Sequence, residues 1–244
     1  MNAVLEARAI GKRYGTLTAL QGIDLQLRMG EIHGLIGPNG SGKSTLLKCL
    51  AGAEIVTSGS VHFAGRNVTH DTPAQRVQAG MSMKFQITAV LPDLTVYDNL
   101  LLAFQAGERR WRLAFSRTRA ALDESITKLL THFNLDARWN DPASSLPHGQ
   151  AQWLEICMAL ARKPTVLLLD EPTAGMSPQE RRATGALLKT LTGACALVIV
   201  EHDLEFVRKI CHALTVLDQG RIVASGMAQD VQNDARVREV YLHG

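Results

Sequence analysis

Nine residues, GPNGSGKST at 37–45, constrain this chain more than any other stretch. They hold the pattern GxxxxGK[ST] as Gly37, Gly42, Lys43 and Ser44, which residue frequencies would produce by chance in roughly one chain in a hundred of this length. An apolar run, EIHGLI at 31–36, precedes them, and a helical pattern over 43–51 follows. Strand, glycine-rich turn and helix in that order make a phosphate cradle. The glycines let successive backbone N–H groups converge on phosphate oxygens, and the helix start adds partial positive charge. In such a loop Lys43 reaches the β- and γ-phosphates and Ser44 offers its hydroxyl to Mg²⁺. The bland alternative is an ordinary glycine-rich turn.

The rest of the chain alternates strand and helix patterns, as a parallel sheet covered by helices requires. Strands are expected at 23–27, 31–36, 81–85, 165–169 and 196–200, with hairpins at 60–68 and 213–225. Asp218-Gln219-Gly220 supplies the second hairpin's turn. A helix is expected over 178–191, and two short ones close the chain. From 95 to about 163 the pattern is helical, like a subdomain inserted into the sheet. At 244 residues and 46% hydrophobic, the chain can bury one large core or a core with a small satellite. A net charge of +3, spread along the chain, argues for neither nucleic acid nor a membrane surface. The first 15 residues lack the apolar run of a secretory signal, and no run approaches the ~20 residues needed to span a bilayer. Cys49, Cys157, Cys195 and Cys211 sit in apolar segments without CxxC pairing, which fits buried reduced thiols better than disulfides or zinc.

A second signal lies at VLLLDEP, 166–172, where a buried-strand pattern ends in two carboxylates. In a parallel sheet that strand end lies beside the phosphate loop. Asp170 then helps to hold Mg²⁺, and Glu171 can polarise a water for attack on a γ-phosphate. Joined to the phosphate loop, this points to a nucleoside triphosphatase.

With these motifs the chain resembles the ATP-binding subunit of an ABC transporter over nearly its whole length. The resemblance implies an α/β P-loop NTPase fold over 1–244: a mixed, largely parallel core sheet, an N-terminal antiparallel β subdomain and an inserted helical subdomain. It makes Gly37, Pro38, Asn39, Gly40, Ser41, Gly42, Lys43, Ser44 and Thr45 the phosphate loop, and Tyr14 the aromatic that stacks on adenine. Gln86, in SMKFQ, matches the glutamine that senses Mg²⁺ and nucleotide, and His202, in VIVEHD, the switch histidine at the γ-phosphate. Residues Ala174, Gly175, Met176 and Ser177 match a loop that crosses the subunit interface. Leu146, His148, Gly149 and Gln150, in LPHGQ, stand where the family signature LSGGQ holds the ATP of the opposing subunit. Pro147 replaces the signature serine and brings neither hydroxyl nor N–H. It suits a helix's first turn, and a helix from Gln150 onward still presents the backbone of Gly149. Either this is a tolerated variant or it weakens one of two ATP sites.

HGQAQWLEI, LLLDEPTAGMSPQE and EHDLEFV resemble the ATPases of branched-chain amino acid importers, with urea and short-chain amide importers as close relatives. That resemblance implies ATP and Mg²⁺, and a second ATPase subunit that is a paralogue or another copy of this chain. It also implies two permease subunits, a periplasmic binding protein acting indirectly, no nucleic acid, and a place on the cytoplasmic face of the bacterial inner membrane. Arg109, Arg110, Arg112, Arg117 and Arg119, around Trp111 and Phe115, form a solvated helical face or a membrane or permease contact. Two rivals stay open: a non-transport ABC protein, and a nucleotide-binding scaffold silenced by Pro147.

Overall fold

The computed structural model describes residues 3–84, 90–106 and 118–242. Gln86 and the arginine-rich run from Arg109 to Arg117 lie outside the described residues. Three short strands carry the fold: β3 (Ile32–Ile36), β7 (Val166–Asp170) and β8 (Ala196–Val200), each buried at every position. Strands covered on both faces have no polar side, so they read as unbroken apolar runs. They form the middle of a six-stranded sheet in the order β10-β9-β3-β8-β7-β6, with β6 at Met81–Lys84, β9 at Ala213–Asp218 and β10 at Arg221–Met227. All neighbours are parallel except the β9–β10 hairpin. Its turn places Gln219 at φ 45° and Gly220 at φ 74°, the left-handed pair that the Asp-Gln-Gly sequence predicts.

Alternate residues of these strands feed two cores. Leu167, Leu169, Leu197 and Ile199 pack toward the helices that follow β6. Val166, Leu168, Val198 and Val200 pack toward α1 (Lys43–Ala51) and a four-stranded antiparallel sheet, β2-β1-β4-β5. That second sheet comprises β1 (Ala3–Tyr14), β2 (Leu17–Arg28), β4 (Ser58–Phe63) and β5 (Arg66–Asn67). Helix α2 (Pro73–Ala79) carries Arg76, 1% exposed, whose guanidinium donates to the carbonyls of Cys49 at 2.8 Å, Leu50 at 2.5 Å and Thr69 at 3.1 Å. A cation thus satisfies the free carbonyls at the C-terminal end of α1 and complements its dipole there.

Between β6 and β7 lie α3 (Val96–Gln105), α4 (Thr118–His132) and α5 (His148–Leu160), joined around Tyr97, Leu100, Ile126, Phe133 and Leu154. After β7 come α6 (Pro178–Thr190), α7 (Leu204–Ile210), α8 (Ala228–Asn233) and α9 (Ala235–Leu242). All four cysteines are buried free thiols. Among the described residues no helix is long and apolar enough to cross a membrane.

The sequence reading needs four corrections. It contained no strand over 3–14 and no helix over 73–79 or 204–210, yet β1, α2 and α7 occupy them. Ala9, at φ 47°, breaks β1's alternation, and its pairing with β2 shifts register there. The signature helix starts at His148, ahead of the expected Gln150, with Pro147 as its N-cap rather than inside its first turn. The Pro147 carbonyl accepts from Ala151 N at 3.0 Å, and the backbone ladder of a helix does not use the N-cap N–H, so proline leaves the ladder intact.

Candidate active site

β3 ends against a turn that only glycines can make. A Cβ on Gly37, at φ 145°, would lie 2.0 Å from the Leu217 carbonyl oxygen, and one on Gly42, at φ 104°, would lie 2.8 Å from that of Ala19. Gly42 caps α1 without any side-chain acceptor, so the first-turn amides keep their capacity for an anion. Lys43, 5% exposed, folds back so that Nζ donates to the Gly37 and Pro38 carbonyls, both at 2.8 Å. Burial lowers its pKa, while Glu171 and Asp170 oppose the shift. Inside the loop, the Ser41 hydroxyl is buried without a hydrogen-bond partner among the described residues.

Asp170 closes β7 at 1% exposure and accepts from Ser44 Oγ at 3.3 Å. Burial raises its pKa, the Ser44 hydrogen bond lowers it and Glu171 raises it further. The chain then turns sharply: Glu171 adopts φ 47°, and its N–H donates to the Val200 carbonyl at 3.0 Å. This turns the Glu171 side chain toward the end of the neighbouring strand, where His202 Nε2 donates to its Oε1 at 2.6 Å. The switch histidine of the sequence reading therefore meets the candidate base directly. Glu201, which that reading passed over, is 4% exposed and accepts from Thr173 N at 2.9 Å and Thr173 Oγ1 at 2.7 Å. It also accepts from His202 N at 3.3 Å, tying the turn after β7 to the turn after β8. Burial pushes its pKa up. Its only signal in the sequence is an acid ending the apolar run ALVIV.

Of these groups Lys43, Ser44, Glu171 and His202 line one cleft of about 610 Å³, together with Tyr14 and Asn39, and Asp170 stands behind Ser44. Gly40, Gly42 and Thr45 also border it. Tyr14 is 42% exposed at its rim, with Lys12 Nζ 4.6 Å from the ring centre. The cradle fits a polyphosphate: a helix start, a lysine and an orphaned serine hydroxyl converge on it. Ser44 Oγ and the Asp170 carboxylate are hard oxygen donors of the kind Mg²⁺ takes.

Leu146, His148, Gly149 and Gln150 lie elsewhere, at the start of α5, and do not enter this cleft. His148 Nε2 donates to the Ala174 carbonyl at 2.9 Å, joining the signature segment to the 174–177 loop of the same chain. Gly149 lies so close to α6 that a Cβ there would fall 2.4 Å from Glu180 Oε1.

Residues 20–174 match the ABC transporter family. The chain belongs to that family. This ABC protein is 31% identical to a probable branched-chain amino acid transport ATP-binding protein of Archaeoglobus fulgidus, over 98% of this chain and 95% of the relative. It is 35% identical to an arabinose import ATP-binding protein of Burkholderia cenocepacia, over 98% of this chain but only 47% of that protein. The crystal structure of the ADP conformation of an ATP-binding cassette of an ABC transporter superposes with a TM-score of 0.90, at 29% identity, over 100% of both chains. The ABC protein described here is an ATPase, and its two sheets and flanking helices are those of the P-loop ABC cassette.

Proposed function

We propose that this ATPase is the nucleotide-hydrolysing subunit of an importer for branched-chain amino acids, working through separate permease subunits at the cytoplasmic face of the inner membrane. The observation that carries the hydrolytic half is the Glu171–His202 contact at 2.6 Å, set in one cleft with Lys43 and with Ser44, which bonds Asp170. Lys43 leaves its loop carbonyls for the β- and γ-phosphates. The first-turn amides of α1 take up phosphate charge, and Tyr14 stacks on the base. Mg²⁺, held by Ser44 Oγ and Asp170 with Gln86 as a further candidate ligand, supplies charge neutralisation on the phosphates when bound. Glu171 accepts a proton from the attacking water, and His202 holds that carboxylate in position while its ring faces the γ-phosphate side. The start of α5 covers the ATP of a second ATPase subunit, a paralogue or another copy of this chain. The γ-phosphate thereby bridges two subunits, and its loss reopens them.

The cargo reading rests on a relative matched end to end, against sugar importers of which this chain spans under half. Urea or a short-chain amide is the second reading, favoured by HGQAQWLEI at 148–156 and VQNDARVREVYL near the C-terminus. Cargo is tested by thermal shift of the cognate periplasmic binding protein with leucine, isoleucine, valine, urea and acetamide. Hydrolysis is tested by Glu171→Gln. Turnover should fall at least about 100-fold while ATP binding persists. Robust hydrolysis by that variant would remove Glu171 from the base role.

A further inference from the structure

Glu171 and His202 meet where water reaches both. Their side chains are 23% and 44% exposed, and a contact so open to solvent holds itself in place only weakly. The backbone under Glu171 adds to the difficulty. At φ 47° it is left-handed, a conformation that a residue with a Cβ keeps only where its surroundings dictate it. The Glu171 N–H is fixed to the Val200 carbonyl at 3.0 Å, which secures the near side of the turn and leaves the far side to be held by something else.

Glu201 touches both turns from below. Its N–H donates to the Leu35 carbonyl on β3 at 3.4 Å, while its side chain crosses to the opposite neighbour in the sheet, the turn after β7. Oε1 accepts from Thr173 N at 2.9 Å and from Thr173 Oγ1 at 2.7 Å, and Oε2 accepts from His202 N at 3.3 Å. Glu201 and Thr173 are each 4% exposed, and neither is among the residues that line the nucleotide cleft. Pro172, between Glu171 and Thr173, has no N–H, so Thr173 carries the first amide after Glu171 that can be tied down. Three donors thus converge on one carboxylate, a group that only accepts. A side-chain amide of the same size cannot reproduce this, because whichever way it turns, its NH₂ meets a backbone N–H.

We propose that Glu201 is a positioning residue: through Thr173 and the His202 amide it fixes the two turns against each other and so aims Glu171 at the attacking water. This rests on the reading that Glu171 takes the proton from that water. The test uses the full chain, comparing wild type, Glu201→Gln, Thr173→Val and Thr173→Ser, with Glu201→Gln repeated in a Glu171→Gln background, by steady-state ATPase kinetics and amide hydrogen exchange. Glu201→Gln should lower kcat roughly tenfold or more while KM for ATP stays within about twofold, and the amides of Thr173 and His202 should exchange faster. Thr173→Val should also lose turnover, whereas Thr173→Ser, which keeps the hydroxyl, should stay within about twofold of wild type. In the Glu171→Gln background, Glu201→Gln should change the residual turnover by less than about twofold, since a clamp has no effect once the group it aims is gone. An equal loss in both backgrounds would overturn the proposal, because Glu201 would then support the fold and not the base. So would a wild-type kcat in Glu201→Gln, or a KM that rises as kcat falls. Robust turnover by Glu171→Gln would overturn the base reading instead, and exchange at Thr173 and His202 would still decide whether Glu201 holds the two turns, unchanged exchange counting against it.

Discussion

Burial pushes the Asp170 carboxyl up, the Ser44 hydroxyl pulls it back and Glu171 pushes it up again. A raised pKa means that the folded chain binds this proton more tightly than the unfolded one. The side chain therefore contributes to stability below the ordinary carboxylate range, and that contribution is lost as pH rises through the folded value. The ionised group is a local cost that the Ser44 hydrogen bond eases and a bound cation would relieve further, which is how a metal ligand trades stability for function. Asp170→Asn should melt higher than wild type without Mg²⁺ and show a flatter dependence of melting temperature on pH. It should also lose the Mg²⁺-dependent tightening of nucleotide binding. Melting curves across pH, with and without Mg²⁺ and ATP, check this, and a lower melting point for the metal-free variant would refute it. At this scale much was legible in the sequence. Lys43, Ser44, Asp170 and Glu171 follow from residue type and spacing and His202 from the family resemblance; Lys43, Ser44, Glu171 and His202 line one cleft, and Asp170 is bonded to Ser44 beside it. Contacts across strands were not legible. Nothing in VIVEHD says that His202 meets Glu171 or that Glu201 holds Thr173, because those pairings depend on which strand lies beside which.

Helix α6 begins with a reciprocal capping box: Ser177 Oγ accepts from Glu180 N, and the Glu180 carboxylate accepts from Ser177 N at 2.8 Å and Ser177 Oγ at 2.7 Å. Those bonds, with the Gly149 amide contributing, hold the Glu180 carboxyl below its usual range. A lowered pKa works in the opposite sense from that of Asp170. Its stabilisation is present above the unfolded carboxylate value and is lost as pH falls through the folded one. Ser177→Ala should cost about 1 kcal/mol at neutral pH. The deficit should shrink as urea unfolding is repeated from about pH 7 toward about pH 4, and a pH-independent deficit would exclude the carboxylate from the effect. The same chemistry shows why some elements are readable and others are not. Thr72-Pro73-Ala74-Gln75 opens α2 with a complete capping box that the sequence offered and the reading passed over. β1 gave less away, because a bulged strand loses the alternation by which strands are found.

For the molecule as a whole, the functional reading divides nucleotide contacts between the cleft at Lys43 and the start of α5, which face different ATP molecules. The cleft holds all its charged groups, so replacing the signature serine by Pro147 removes at most two donors, a hydroxyl and an N–H, from the opposing site. A single hydrogen bond contributes roughly 0.5–1.5 kcal/mol, so Pro147→Ser should change turnover by no more than about 100-fold. ATPase assays of the subunit alone and with its partner ATPase check this. An inert wild type that becomes active on restoring serine would identify a silenced scaffold instead. The layering was legible in outline, since an inserted helical block and a parallel core follow from the order of patterns. The seam between the two sheets was not, and at one point it passes through Gly220. Gly220 N donates to the Ser41 carbonyl at 3.0 Å and its own carbonyl accepts from Gln21 N at 2.8 Å, while a Cβ there would lie 2.5 Å from the Ala19 carbonyl oxygen. Hairpin tips are where protein engineers open a chain to graft a reporter or move its ends. The tip at Gln219-Gly220 is a closed doorway, wedged between the phosphate loop and β2, whereas the tip at Ala64-Gly65, with open space around Gly65, is the hinge pin that can be drawn without touching the frame.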